Sequence, residues 1–339
     1  MKVTHFHRKP QGSNFSLERL FGQVRESMPS EIFCLKHESK FISRGFLRRT
    51  YNVLEAIFFQ GDVNHITGDI HYISLFLRKK KTILTIHDCA SLARLKGIRK
   101  AVFFFVWFVI PEKRVAAITV ISESTKKELL KYLQVDANKV FVVYDCVSED
   151  FLPVLRDFNS VKPIILQVGT GCNKNVINVA NALKGICCHL RIIGELSNDQ
   201  IDSLELNEVE YSNVVSINDR EVVDEFIHCD LVIFVSTYEG FGLPIIEANA
   251  TGRPVVTSNI YSMPEIAGQA ACIVDPYSVN DIRKGIVKVI TDTEYRYKLI
   301  HQGYKNVERF RGRGIAEDYA NLYKKVVDGE IKKGSTPVS

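Results

Sequence analysis

Glu239-Gly240-Phe241-Gly242-Leu243-Pro244-Ile245-Ile246-Glu247 sets two carboxylates around a glycine-proline turn that must open a helix. The run before it, Leu231-Val-Ile-Phe-Val-Ser236, is apolar and β-branched, the composition of a strand buried on both faces. Pro244 has its φ preset for the first helical position, and Gly252 followed by Pro254 stops the helix about two turns later. The first N–H groups of a helix lack intrahelical partners and lie at the positive end of its dipole. With Gly240 and Gly242 exposing backbone, they predict a seat for a phosphate or pyrophosphate. Glu239 enters the loop and Glu247 lies within the helix, so both are expected to flank one ligand. The plain alternative is a strand-turn-helix whose glutamates are merely solvated.

Outward from this turn the chain alternates strand and helix patterns. In the first half, strands are expected at Lys2 to His7, Asp62 to Ile66, Thr82 to His87, Ala117 to Ser122 and Lys139 to Tyr144. Helical stretches such as Ser16 to Ser27 and Ser124 to Tyr132 lie between them, an alternation that implies a parallel sheet covered on both faces. Glu149 to Lys162, with Pro153 inside and Pro163 after it, reads as a linker. The pattern then restarts with a strand at Pro163 to Gly169, a helix at Val176 to Leu183, a strand at Leu190 to Gly194 and a helix at Glu221 to Cys229. The expectation is an α/β chain of two doubly wound, Rossmann-like domains with a cleft between them, divided as 1–155 and 162–310, and a final helix over 311–330.

Composition agrees with a two-domain chain of 339 residues, 46% hydrophobic and 24% charged. Met1 to Pro10 has basic residues but no continuous apolar stretch behind it, so no secretory signal is read and a cytoplasmic location is expected. The eight cysteines, Cys34, Cys89, Cys146, Cys172, Cys187, Cys188, Cys229 and Cys272, show no CxxC pairing and read as buried reduced thiols rather than a zinc site. No Asp-x-Asp pair appears, so metal-independent chemistry is expected.

Charge is uneven: the first 150 residues hold 24 Lys+Arg against 15 Asp+Glu, whereas the remainder holds 20 against 24. Clusters at Arg44 to Arg49, Arg78 to Lys81 and Arg94 to Lys100 suit an anionic membrane surface or a pyrophosphate-linked acceptor, unless they are simply solvated faces. Beside the last cluster, Ala101-Val-Phe-Phe-Phe-Val-Trp-Phe-Val-Ile110 is the most apolar run. As a helix it reaches only about 15 Å, half of a roughly 30 Å bilayer core, and so reads as a buried core helix or an interfacial one.

The Glu-x7-Glu spacing with Gly-Phe-Gly-Leu-Pro inside it resembles the retaining glycosyltransferases of family 4, which have the two-domain GT-B fold. The likeness runs on through Gly252-Arg-Pro-Val-Val-Thr-Ser258, Pro264-Glu265-Ile266 and Gly268. It implies transfer of a sugar from a nucleoside diphosphate sugar to a hydroxyl with the anomeric configuration kept, without a cofactor and without a nucleic-acid partner. By the same resemblance Glu239 orients sugar hydroxyls, Glu247 holds the ribose, and the backbone of Gly240, Phe241, Gly242 and Leu243 with Lys174 stabilises the departing diphosphate. Lys174 comes from Val168-Gly-Thr-Gly-Cys-Asn-Lys-Asn175, similar to the family's strand-loop segment ending in Lys-Asn. Thr170 stands where the family carries an arginine, leaving a hydroxyl in place of one positive contact. Ile217 and its neighbours are expected to place backbone groups against the base.

In the first half the likeness is looser. Thr85-Ile-His-Asp88 matches a His-Asp near donor and acceptor, making His87 the leading residue there; a capping or core histidine is its alternative reading. Ile121-Ser-Glu-Ser-Thr-Lys126 resembles a family stretch that helix capping by Ser122 or Ser124 explains adequately. Tyr144-Asp-Cys-Val147 replaces the common Pro-Asn-Gly-Val, and Gly12 stands alone where paired glycines are usual. The helix over 311–330 resembles the family's last one, which crosses back onto the N-terminal domain. The acceptor implied is a glycan or polyprenyl-diphosphate-linked glycan of bacterial lipopolysaccharide or exopolysaccharide synthesis, reached from the inner face of the membrane. The rivals are another enzyme on the same architecture, such as a nucleotide-sugar epimerase or a phosphorylase, and a non-catalytic sugar-nucleotide binding module.

Overall fold

The computed structural model describes residues 1–10, 16–90, 92 and 95–331. Gly12, Arg94 and the chain after 331 lie outside the described residues. The chain divides into two units, Met1–Cys146 together with the segment from Gly312 on, and Val147–Arg311.

The first unit is built on six parallel strands in the order β2-β1-β3-β4-β5-β6. They are β1 Lys2–His7, β2 Phe33–Glu38, β3 Val63–Ile66, β4 Thr82–Ile86, β5 Ala117–Val120 and β6 Val140–Val142. β3, β4 and β5 are buried at every residue, because helices cover both faces. On one face Phe6, Ile66, Leu84 and Ile118 pack with Trp107 and Phe108. On the other, Val3, Val63, Ile83 and Ala117 pack against Phe21 and Val24 of the Ser16–Glu26 helix and Tyr319 and Tyr323 of the Gly312–Asp328 helix. Two residues further along each strand, on this second face, lie His5, His65, Thr85 and Thr119, a buried polar row. Tyr323 Oη joins His5 Nε2 at 2.9 Å to His65 Nδ1 at 2.8 Å, and His65 Nε2 meets Thr85 Oγ1 at 2.7 Å.

The apolar run over 101–110 is not one core helix. The Gly97–Phe104 helix passes into a π-turn at Phe105–Val109 and then into Ile110–Arg114. The inserted turn shifts the side-chain register, so Trp107 and Phe108 are buried while Val102 and Phe105 face out. Ser122 caps the Glu123–Tyr132 helix by accepting from Thr125 N at 3.0 Å.

The second unit has six parallel strands in the order β12-β11-β10-β7-β8-β9. These are β7 Ile164–Val168, β8 His189–Ile193, β9 Tyr211–Val214, β10 Leu231–Phe234, β11 Val255–Ser258 and β12 Cys272–Val274. The stretch read as a linker is fastened to this unit. Phe151 is fully buried edge-on against Phe226 at 5.3 Å, and Arg156 Nε donates to Asp230 Oδ1 at 2.8 Å. The Asp230 carboxylate also accepts from the N–H groups of Asn159 and Ile164. All eight cysteines are free, but only five are buried; Cys172 and Cys187 are exposed, correcting the uniform expectation, Cys172 in the surface turn Cys172–Lys174 and Cys187 in the connection between the Val176–Leu183 helix and β8.

Candidate donor site in the second unit

The strand order of the second unit reverses between β7 and β10, which lie side by side with Leu231 opposite Ile165 and Ile233 opposite Gln167. In open α/β sheets the loops leaving two such strands diverge and form a crevice at their C-terminal ends. The loop after β7 carries Thr170 and a single turn at Cys172–Lys174, and the loop after β10 carries Glu239. Lys174 Nζ reaches Glu239 Oε1 at 2.6 Å, and Asn173 Nδ2 donates to the same oxygen at 3.1 Å. Asn173 also ties the loops through the Tyr238 carbonyl at 2.9 Å and through Thr237 N, which donates to its own carbonyl at 2.8 Å.

The lysine is held by more than its charge. Its ammonium lies 4.6 Å from the centre of the buried Phe234 ring, a cation–π contact. Gly169 has φ +84°, and a Cβ there would stand 3.0 Å from Lys174 Cε, so a side chain at this position collides with the lysine stem. Gln167, wholly buried on β7, donates to the Lys174 carbonyl at 3.1 Å and fixes the turn from below.

The Leu243–Thr251 helix starts immediately after this loop, with Gly242 at φ +119° in the N-cap position and no side-chain cap. Pro244 occupies the first turn, as the sequence predicts, and the helix ends at Gly252 with φ +75°. Ser262 Oγ, 2.6 Å from the Phe241 carbonyl and 3.0 Å from that of Glu239, braces the loop, and the buried Phe241 ring meets Phe310 edge-on at 5.7 Å. Gly240, Phe241, Gly242 and Leu243 thus present a fixed backbone beside the Lys174–Glu239 pair. Glu247, buried at 6% exposure, is the one charged residue in the sequence of that helix.

Two of the expected residues lie outside this hydrogen-bonded pair. The Thr170 hydroxyl donates to the Glu195 carbonyl at 2.6 Å, so its single proton is committed to the main chain and does not substitute for an arginine. Ile217 follows β9, the edge strand, two strands away from β7, just ahead of the Asp219–His228 helix that Asn218 and Glu221 close with a capping box. The sequence missed Asn173, Gln167 and Ser262: they are polar groups serving backbone carbonyls, and no spacing rule marks them.

His87 belongs to the first unit, one residue past β4. Its Nε2 donates to the Thr67 carbonyl at 2.9 Å, which leaves Nδ1 as a buried acceptor without a hydrogen-bond partner among the described residues. Nearby Asp145 is pushed up to about 6 by burial, with His87 pulling the other way.

Residues 155–306 match the family model described as glycosyl transferases group 1. Over 92 residues the chain is 37% identical to the O-antigen chain mannosyltransferase B of Escherichia coli, an overlap covering 27% of this chain. It spans only about a quarter of that relative's length, 24%. The O-antigen chain mannosyltransferase RfbU of Salmonella typhimurium is 24% identical over 256 residues, 71% of this chain and 70% of that one. Among solved structures, Anabaena Alr3699/HepE in complex with UDP and glucose superposes with a TM-score of 0.73 at 15% identity, over 96% of this chain and 100% of that one. Residues 155–306 are therefore a glycosyl transferases group 1 domain, set in a chain of GT-B fold.

Proposed function

We propose that this chain is a retaining glycosyltransferase that moves a sugar from a nucleoside diphosphate sugar to a hydroxyl of a glycan or lipid-linked glycan in bacterial surface-polysaccharide synthesis. The observation that carries this is the Lys174–Glu239 pair, 2.6 Å apart at the β7/β10 switch point and next to an uncapped helix start. An ammonium has three N–H donors, so one serves Glu239 and the others face a phosphate oxygen. Lys174 and the amides at 240–243 then stabilise the charge that develops on the departing diphosphate, the electrostatic role that dominates such barriers. Glu239 takes sugar hydroxyls near the anomeric carbon, and Glu247 takes those of the ribose. The acceptor attacks from the leaving-group face, and the leaving phosphate oxygen receives its proton; no metal is required by this scheme. The mannosyltransferase names of relatives and the UDP and glucose held by Alr3699/HepE support the donor class.

The test is calorimetry with uridine and guanosine diphosphate sugars, followed by product analysis. One donor is expected to bind and to give a product of unchanged anomeric configuration; no heat with any of them, or an inverted product, refutes the reading. A glycosyl adduct trapped on Glu239 refutes the same-face step alone.

The first unit adds a membrane-facing surface to this reading. On the Phe46–Ile57 helix and the residue after it, Leu47, Tyr51, Leu54 and Phe58 recur at helical spacing and are all exposed, with Phe46 and Leu47 at 81%. Exposed Arg44 and Arg48 flank them. Ile98, Val102 and Phe105 form a second such stripe beside Lys96 and Arg99. Apolar stripes edged with cations match an anionic lipid surface, and among the described residues no helix is long and apolar enough to cross a membrane. Flotation with phosphatidylglycerol vesicles, but not with phosphatidylcholine vesicles, is expected and is lost in a Leu47→Glu, Phe58→Glu variant. Equal flotation of that variant refutes the surface.

A further inference from the structure

The Gly312–Asp328 helix belongs to the first unit, although the chain reaches it only after completing the second. Its Ile315, Ala316, Ala320 and Val326 pack with Val63 and Ala117 in one apolar cluster that also holds Tyr319 and Tyr323. The two tyrosines make the polar part of the contact. Tyr323 Oη lies between His5 Nε2 and His65 Nδ1, and the Tyr319 hydroxyl joins Thr85 and Thr119. Outside this row Lys324 meets Glu31 at 3.2 Å in an exposed pair, and Lys81 donates to the Val327 carbonyl at 3.0 Å.

The row has room for a fixed number of protons. With both rings neutral, the hydrogen bonds from His5 through Tyr323 and His65 to Thr85 can run in either direction, and in both His5 Nδ1 is the end left without a partner. One added proton strands a buried N–H or O–H somewhere along this chain. Two added protons make donors of both ring nitrogens aimed at Tyr323 Oη, whose own proton then has no acceptor, and set two cations in rings 5.2 Å apart. The surroundings give no relief. Beside His5 stand His7 and Arg25, themselves hydrogen-bonded at 2.8 Å, with Lys36 bearing on His7. His87 faces His65, while Arg25 and Cys34, a thiol that burial keeps protonated, face Tyr323. Asp145 acts on Tyr319 and His87, and burial pushes its own carboxyl up to about 6.

We propose that the Gly312–Asp328 helix is an acid-released latch, which lifts off the first sheet along the Tyr323–His5–His65 contact as those two rings take up protons, while the sheet itself stays folded. The strands pair with one another, the cluster around Phe6, Ile66, Leu84 and Trp107 still covers the opposite face, and Phe21 and Val24 stay on the vacated one. The chain passes between the units at 146/147 and at 311/312, so release leaves the second passage without an anchor in the first unit. This device does not depend on what the chain transfers.

Release returns His5 and His65 to water, where a histidine titrates near 6.5, from a folded state in which burial keeps both neutral. The closed form is therefore favoured above that value and loses ground as the pH falls. Each ring shifts the balance towards opening by about 8-fold between pH 7 and pH 5.5, or about 70-fold together. Asp145 works the other way, and where it is released with them the rise is about 20-fold.

Amide hydrogen exchange of the whole protein at pH 7 and 5.5, corrected for the intrinsic pH dependence of exchange, reads the opening constant of each segment. Amides over 315–326 are expected to open more readily than those of β3 and β4 at both values, and about 20- to 70-fold more readily at pH 5.5 than at pH 7. His5→Gln and His65→Gln, made separately, are each expected to cut that rise by about 8-fold. A loss of packing alone raises opening equally at both pH values and leaves the rise intact. A helix that opens with the same constant as β3 and β4 at both values, an opening constant that does not rise on acidification, or a rise undiminished in either folded variant overturns the proposal.

Discussion

Lowering the pH from 7 to 5.5 is expected to destabilise the first unit by about 3 kcal/mol, through the buried histidines on β1 and β3. Burial holds His65 down at about 3 and His7 at about 2, and it holds His5 well below the ordinary 6.5. Below pH 6.5 the unfolded chain binds protons that the folded one refuses. Stability is therefore full above that value and declines as the pH falls towards the folded values. Each such group loses about 1.4 kcal/mol per pH unit in that window, so the three together lose roughly 4 kcal/mol by pH 5.5. Asp145 runs the other way: with its value raised to about 6, the folded state takes up a proton first as the pH falls, offsetting roughly 1 kcal/mol. Urea unfolding followed by Trp107, in the core of this unit, reads the change. With a slope of about 1–3 kcal/mol/M, the midpoint should fall by about 1–3 M. A midpoint that stays put or rises over this interval refutes the claim that the histidines are neutral in the folded protein.

Lys174→Met keeps the stem over Phe234 and removes the charge; kcat should drop by about 10²–10³, the range for losing one preorganised donor, with a smaller effect on folding. Unchanged turnover would remove Lys174 from the leaving-group site. Gly252→Ala drives a Cβ into Tyr304 Oη at φ +75°, so thermal unfolding should come several degrees lower, a loss of about 1–3 kcal/mol. Asp230→Asn leaves Arg156 without its buried anion and should destabilise the second unit by about 3 kcal/mol in calorimetric unfolding; a change below 1 kcal/mol would show the pair to be dispensable.

What the sequence disclosed follows the range over which its signals act. The 239–247 loop was readable because a glycine at positive φ, a proline in the first helical turn and an apolar strand ahead of them are all local constraints. The meeting of Lys174 with Glu239, 65 residues apart, depends on β7 and β10 being neighbours, a fact of strand order that only the family resemblance supplied. β2 escaped because Phe-Cys-Leu-Lys-His-Glu is an edge strand whose charged residues mask the alternation. The Phe46–Ile57 helix escaped although its apolar residues share one broad face: Val53 and Ala56 bury one margin of that face, while Leu47, Tyr51 and Leu54 stay exposed. The histidine row is the extreme case. In β1 the sequence shows only a histidine at every second position, which reads equally well as a solvated face. Its burial is decided by Tyr319 and Tyr323, about 300 residues away, so the acid sensitivity of the first unit depends on a helix that no reading of β1 reveals.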